Sequence, residues 1–414
     1  MSGEKRILSR RDFIKAAGAA GLGSALVPFS SLTTAHANPQ TKASEQMVVP
    51  TRPFGKTGVD VSILSLGGVL KDTDQLVFRQ ALKSGVTYWD TADSYGGGGN
   101  EKAIGGYFAR FPADREKVFL VTKAASSSAQ ELSDKLNTSL QRMNTSYIDM
   151  YLIHYVSDVG KELTPEVKMW AERAKSKGTI RLFGFSAHKN MENGMLEAAK
   201  LGWIDGIMMT YNYRLMVKDE MKRAVDACAR AGIGLTAMKT QAAFSAIFWS
   251  SIGSETDDAL KMTENFLKRG YTAEQAKLKA VWENPHIASI CSAMPNMTIL
   301  QANIDAALNK QRLSEGDRQR LEQYARETAP GYCSGCAHIC ESAVDLDVPI
   351  SDILRCSMYA HGYGCRDMAL SLFNALPAGA KDNVFKADYS KAEKSCPQKI
   401  QIGRVLKRAC EDLG

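Results

Sequence analysis

Eight short apolar runs punctuate the chain, at residues 63–66, 86–90, 118–123, 148–154, 180–186, 206–212, 234–239 and 287–293. Helix-like segments lie between them, among them 76–83, 129–143, 165–177, 219–231, 273–283 and 298–308. A short run that is apolar throughout marks a strand covered on both faces, and its alternation with helices requires parallel pairing. Eight such units predict a (β/α)8 barrel, a fold of about 250 residues. An open doubly wound sheet competes, but it needs a GxGxxG turn after its first strand. The chain has none there; Gly96-Gly97-Gly98-Gly99 follows the second run instead. The long connection 240–270, which holds Phe248 and Trp249, is expected to cover the catalytic face.

Polar side chains of a parallel barrel gather at the carboxyl ends of its strands. Three consecutive runs close there on reactive groups: Asp90 with Tyr95 five residues on, then Lys123, then His154. A phenol near an ammonium group can act as a general acid, because the positive charge favours phenolate. A carboxylate would hold that lysine charged, and a histidine alongside would orient a carbonyl oxygen. Any one of these residues alone would be read as structural. Four on three neighbouring strands form a constellation.

On these residues the chain resembles the aldo-keto reductases, over most of the region 52–309. The resemblance implies a catalytic tetrad of Asp90, Tyr95, Lys123 and His154, NADP(H) as cofactor, and a small-molecule carbonyl or alcohol substrate. It further implies cofactor contacts from Ser186, Tyr211, Asn212, Lys239 and Asn303. The chain departs from the family pattern at four places: Met208 stands where a glutamine is common, Ile299 where an arginine often meets the 2′-phosphate, His188 where many members have asparagine, and Thr240-Gln241 in place of Pro-Leu. These departures leave NADH or no exchangeable nicotinamide as alternatives.

The amino terminus has a different character. Lys5, Arg6, Arg10 and Arg11 precede a mild apolar stretch over 16–29, and Ala35-His36-Ala37 fits a cleavage site. Ser9-Arg10-Arg11-Asp12-Phe13-Ile14-Lys15 resembles a twin-arginine export signal. The competing reading is an uncleaved amphipathic tail. A signal peptide over 1–37 and a linker over 38–50 are therefore expected, with the twin-arginine translocase as partner and the periplasm as destination. The formal charge is +7, but the first 37 residues carry five Lys/Arg against two acids, so the rest is ordinary. No basic arm with stacking aromatics is present, which argues against nucleic-acid binding.

Seven of the nine cysteines follow residue 332. Cys333, Cys336 and Cys340 give C-x2-C-x3-C, and Cys396-Pro397 lies far downstream. In two-cluster ferredoxins each Cys-Pro cysteine ligates the cluster of the other motif. Here the local partners of Cys396 are replaced by Lys386, Tyr389 and Ala392, which frees it to complete one [4Fe–4S] site with the first three. Zinc, disulfides and free thiols are the alternatives; zinc sites usually show two C-x2-C pairs. The expected organisation is a barrel over 51–310 and a mainly helical, ferredoxin-like domain over 311–414. Two classes of function follow. One is an exported oxidoreductase with Tyr95 as acid and a redox partner at the cluster. The other is an electron-transfer or binding protein that keeps the barrel as scaffold.

Overall fold

The computed structural model describes residues 47–68, 70, 74–242, 266 and 268–414. The expected signal peptide, most of the linker, and Phe248 and Trp249 of the long connection lie outside the described residues. Eight parallel strands close a barrel: β3 (Leu64–Gly67), β4 (Tyr88–Asp90), β5 (Phe119–Ala124), β6 (Ile148–Ile153), β7 (Ile180–Ala187), β8 (Gly206–Thr210), β9 (Gly234–Met238) and β10 (Ile287–Ala293), with β10 paired to both β9 and β3. All six residues of β5 and of β6 are buried, as strands with a filled interior and helices outside must be.

The period of two sorts each strand between two cores. Tyr88, Val121, Leu152 and Met208 point into the barrel, while Trp89, Leu120, Tyr151 and Met209 face the helical layer. Carried two residues further, the inward phase of β4, β5 and β6 falls on Asp90, Lys123 and His154. An antiparallel hairpin, β1 (Thr51–Pro53) with β2 (Asp60–Ser62), was not expected from the sequence. It caps the amino-terminal end of the barrel. Phe54 fills the space left by Gly206 and Gly234, where a β-carbon would stand 2.6 and 2.5 Å from its ring.

The carboxyl-terminal region is helical, and residues 47–414 form one compact unit. The division expected at 311 falls within the barrel's packing layer, since Leu313, Leu321 and Tyr332 join the outer core. A second core gathers Cys340, Ile353, Leu354, Phe373, Leu406 and Leu413. It packs over the barrel mouth and not beside it. Asn212 donates to the Tyr332 hydroxyl (2.9 Å), Arg214 to Thr328 (2.6 Å), and Lys189 pairs with Asp352 (2.7 Å). Gly335, at φ +81°, sits where a β-carbon would strike the His188 carbonyl oxygen at 2.3 Å. The chain between Cys333 and Cys336 is thus pressed against the end of β7.

Candidate active site

The three inward-facing strand ends and the turn after β4 bring Asp90, Tyr95, Lys123 and His154 into one site. Lys123 Nζ donates to both Asp90 oxygens (2.7 and 2.8 Å) and to the Thr91 carbonyl (2.6 Å), so all three of its protons are engaged. The pair is buried, Lys123 to 1% exposure and Asp90 to 3%. Burial pushes the Asp90 carboxyl up from the usual carboxylate range, with Lys123 pulling against it. Tyr95 is half-buried and lies with its ring face 4.8 Å from Lys123 Nζ and 5.8 Å from the His154 ring. Gly68 makes room for it, because a β-carbon there would meet the Tyr95 ring at 2.6 Å.

The expected lysine effect on Tyr95 is not the governing one. Burial, then the Asp90 charge, then Tyr155 and Tyr359, hold the Tyr95 hydroxyl well above the ordinary phenol range. Lys123 spends its protons on Asp90 and Thr91 and meets the ring face, not the oxygen. His154 is held neutral by burial first, with Lys123, Arg355 and Lys239 adding to the effect. Its Nδ1 has no partner among the described residues.

The cofactor residues expected from the family pattern divide. Ser186 lies at the mouth, with its Oγ accepting the Tyr155 amide (3.4 Å), and Asn303 donates to Ser292 near the end of β10 (3.0 Å). Asn212 and Lys239 also reach the mouth but meet the carboxyl-terminal region: Asn212 bonds Tyr332, and the Lys239 ammonium donates to the Tyr359 hydroxyl. Tyr211 is corrected. It follows the outward phase of β8, packs in the helical layer, and its hydroxyl accepts from Asn284 (2.8 Å). Thr210, in the inward phase, lies at the mouth and contacts His188 (3.3 Å).

Sequence reasoning missed several residues at this site. Cys291 of β10 lies 3.5 Å from Asp90 Oδ2. Tyr155 stacks on His154 with ring centres 3.6 Å apart. From above come Arg355, on the Ile350–Ser357 helix, and Tyr359, in the π-helical turn Met358–Gly362. Arg355 and Tyr359 are four residues apart and so share a helical face, a signal that helical spacing alone could have offered.

Cys333, Cys336, Cys340 and Cys396 line a single pocket with Pro397, walled by Ile339, Ile350, Leu354, Ile400 and Ile402. All four are free thiols. Burial pushes the Cys333 thiol up to about 12, with smaller contributions from Cys336 and Cys396. Among the described residues no three His, Cys, Asp or Glu side chains are grouped to hold a metal ion.

Residues 65–273 match the family model described as Aldo/keto reductase family. An uncharacterized oxidoreductase of Bacillus subtilis is 26% identical over 304 residues, 67% of this chain and 96% of the relative. A methylglyoxal reductase of Escherichia coli is 34% identical over 118 residues, 28% of this chain and 39% of the relative. Among solved structures, an aldo-keto reductase from Bacillus halodurans in its holo form superposes with a TM-score of 0.55 at 22% identity. That superposition covers 66% of this chain and 96% of the other, and it supports the fold alone.

Lys239 is held against its charge at the mouth. Burial first, then Arg355, bring its pKa down to about 7 from the ordinary 10.5. Between those two values the unfolded chain binds a proton that the folded chain does not, so folding stability rises with pH across that window. Below about 7 the burial cost is fully present; above 10.5 it is gone. Lys239→Met removes the charge at similar volume. The variant should be more stable than the parent at pH 7, by an order of a few kcal/mol, and the gap should narrow toward pH 9. Urea unfolding at the two values measures this; a gap that does not change with pH would refute it.

Proposed function

The chain belongs to the aldo/keto reductase family, and from that premise we propose an NADPH-dependent reduction of a carbonyl compound, or its reverse, with Tyr95 as proton donor. The observation that carries the reading is the buried Lys123–Asp90 pair beneath the Tyr95 ring, with neutral His154 across the same space. The nicotinamide, when bound, would supply the hydride. The rest is the work of the chain. A phenol held well above its ordinary range stays protonated and keeps its proton for the carbonyl oxygen. Lys123 then lies near enough to stabilise the phenolate through space. Asp90 keeps that ammonium in place, and His154, uncharged, aligns the carbonyl. In this reading Ser186, Asn212 and Asn303 hold the cofactor, with Asn212 exchanging its Tyr332 partner for it.

The cysteine pocket supports a second element of the reading, a [4Fe–4S] cluster held by Cys333, Cys336, Cys340 and Cys396, which would supply one-electron transfer to a redox partner. The twin-arginine resemblance of residues 9–15 supports export to the periplasm after folding, the route that suits a centre built before transport.

Three experiments test these parts. Tyr95→Phe removes the transferable proton and should lower kcat for a carbonyl test substrate by roughly 10²–10⁴-fold, with KM little changed; wild-type turnover would exclude Tyr95 as the acid. Cys396→Ser, prepared without oxygen, should lose most iron and sulfide, whereas Cys410→Ser should keep both. Zinc in place of iron in the parent would defeat the cluster. Arg10→Lys with Arg11→Lys keeps the charge and removes the paired guanidinium groups. Precursor should then accumulate inside the cell, and undiminished export would point to a different route.

A further inference from the structure

The barrel mouth holds more positive than negative charge. Beside the tetrad is a small, open-mouthed pocket with about 20 Å³ of water-accessible space, whose polar lining includes Lys239, Arg355, His188, Thr210, Ser334 and Ser351. Lys123 is matched by Asp90. Asp352 serves two cations at once, Lys189 at 2.7 Å and Arg355 at 2.8 Å. Lys239 meets the Tyr359 phenol, and its nearest charged neighbours include Arg355 and Lys123, both positive. Arg355 Nε is buried without a hydrogen-bond partner among the described residues. A buried cation without a counter-ion is costly, and a guanidinium edge with free N–H groups is suited to a carboxylate.

We propose that this pocket binds the carboxylate of an oxo-carboxylic acid substrate through Arg355 and Lys239, a reading that rests on the carbonyl chemistry assigned above. The position of the pocket supports it. Tyr155 separates it from the tetrad by one ring: that ring stacks on His154 at 3.6 Å and receives the Arg355 guanidinium at 5.4 Å. Tyr359, the partner of Lys239, also acts electrostatically on Tyr95. A small molecule that reaches past the Tyr155 ring would set its carboxylate on Arg355 and Lys239 and its carbonyl before Tyr95 and His154. The anion would supply the missing counter-charge. Substrate choice would then be made by the carboxyl-terminal region, which brings Arg355 to the barrel.

Malonate, an unreactive carboxylate, is a suitable probe, with neutral malonamide as its control, in calorimetry on the full chain. Malonate should bind and malonamide should not. Arg355→Gln, which leaves Asp352 with Lys189, and Lys239→Met should each weaken malonate binding at least about tenfold, as loss of a charge-assisted contact implies. Circular dichroism checks that each variant is folded; should one fail, the other carries the test. Tyr95→Phe should bind malonate like the parent, so that failure of the tetrad assignment is read separately from failure of the pocket. Equal binding of malonamide, or undiminished binding in both charge variants, would overturn the proposal. Binding of inorganic pyrophosphate in preference to malonate would overturn it too, since the cations would then serve a dinucleotide phosphate.

Discussion

A buried ammonium needs a counter-ion, and the Lys123–Asp90 pair meets that requirement at the centre of the barrel mouth. Its consequences spread to every neighbouring group. Asp90 gives Lys123 its counter-charge, Lys123 helps keep His154 neutral, and the Asp90 charge helps keep Tyr95 protonated. Cys291, 3.5 Å from the same carboxylate, has its thiol pushed up by burial first and then by Asp90. The pair also ties the ends of adjacent strands β4 and β5 at the height where the tetrad must converge. Loss of either partner would leave the other charge stranded in the core.

Charge balance further out is less complete. Lys239 and Arg355 stand close together under the carboxyl-terminal region, with Asp352 shared between Arg355 and Lys189. The same region carries the four-cysteine pocket, and Cys333, Ser334 and Leu354 line both cavities. The carboxyl-terminal helices are thus part of the wall of the active site. Their removal would expose the mouth and take away two of the aromatic hydroxyls, Tyr332 and Tyr359, that now occupy Asn212 and Lys239.

Much of the barrel was legible because it is written in local periodicity. Tyr88–Asp90, Val121–Lys123 and Leu152–His154 each step by two from an interior residue to a reactive one, and that phase follows from strand geometry alone. The same rule, applied to β8, places Thr210 at the mouth and Tyr211 outside; family likeness pointed the other way for Tyr211, and the strand phase prevailed. The β1–β2 hairpin escaped notice because its strands are only three residues each, around Gly55-Lys56-Thr57-Gly58.

By itself the sequence determined eight parallel strands and the carboxyl-end placement of Asp90, Lys123 and His154. These depend on spacing within a few residues or on composition. Tertiary structure alone decided that Phe54 closes the far end of the barrel and that the carboxyl-terminal helices roof the mouth. It also set Arg355 and Tyr359 against Lys239. The Lys239–Tyr359 and Asn212–Tyr332 bonds each join residues 120 positions apart. No local period reaches that far: such contacts follow from which apolar faces remain to be covered once the barrel has closed, and from where the buried cations then find partners.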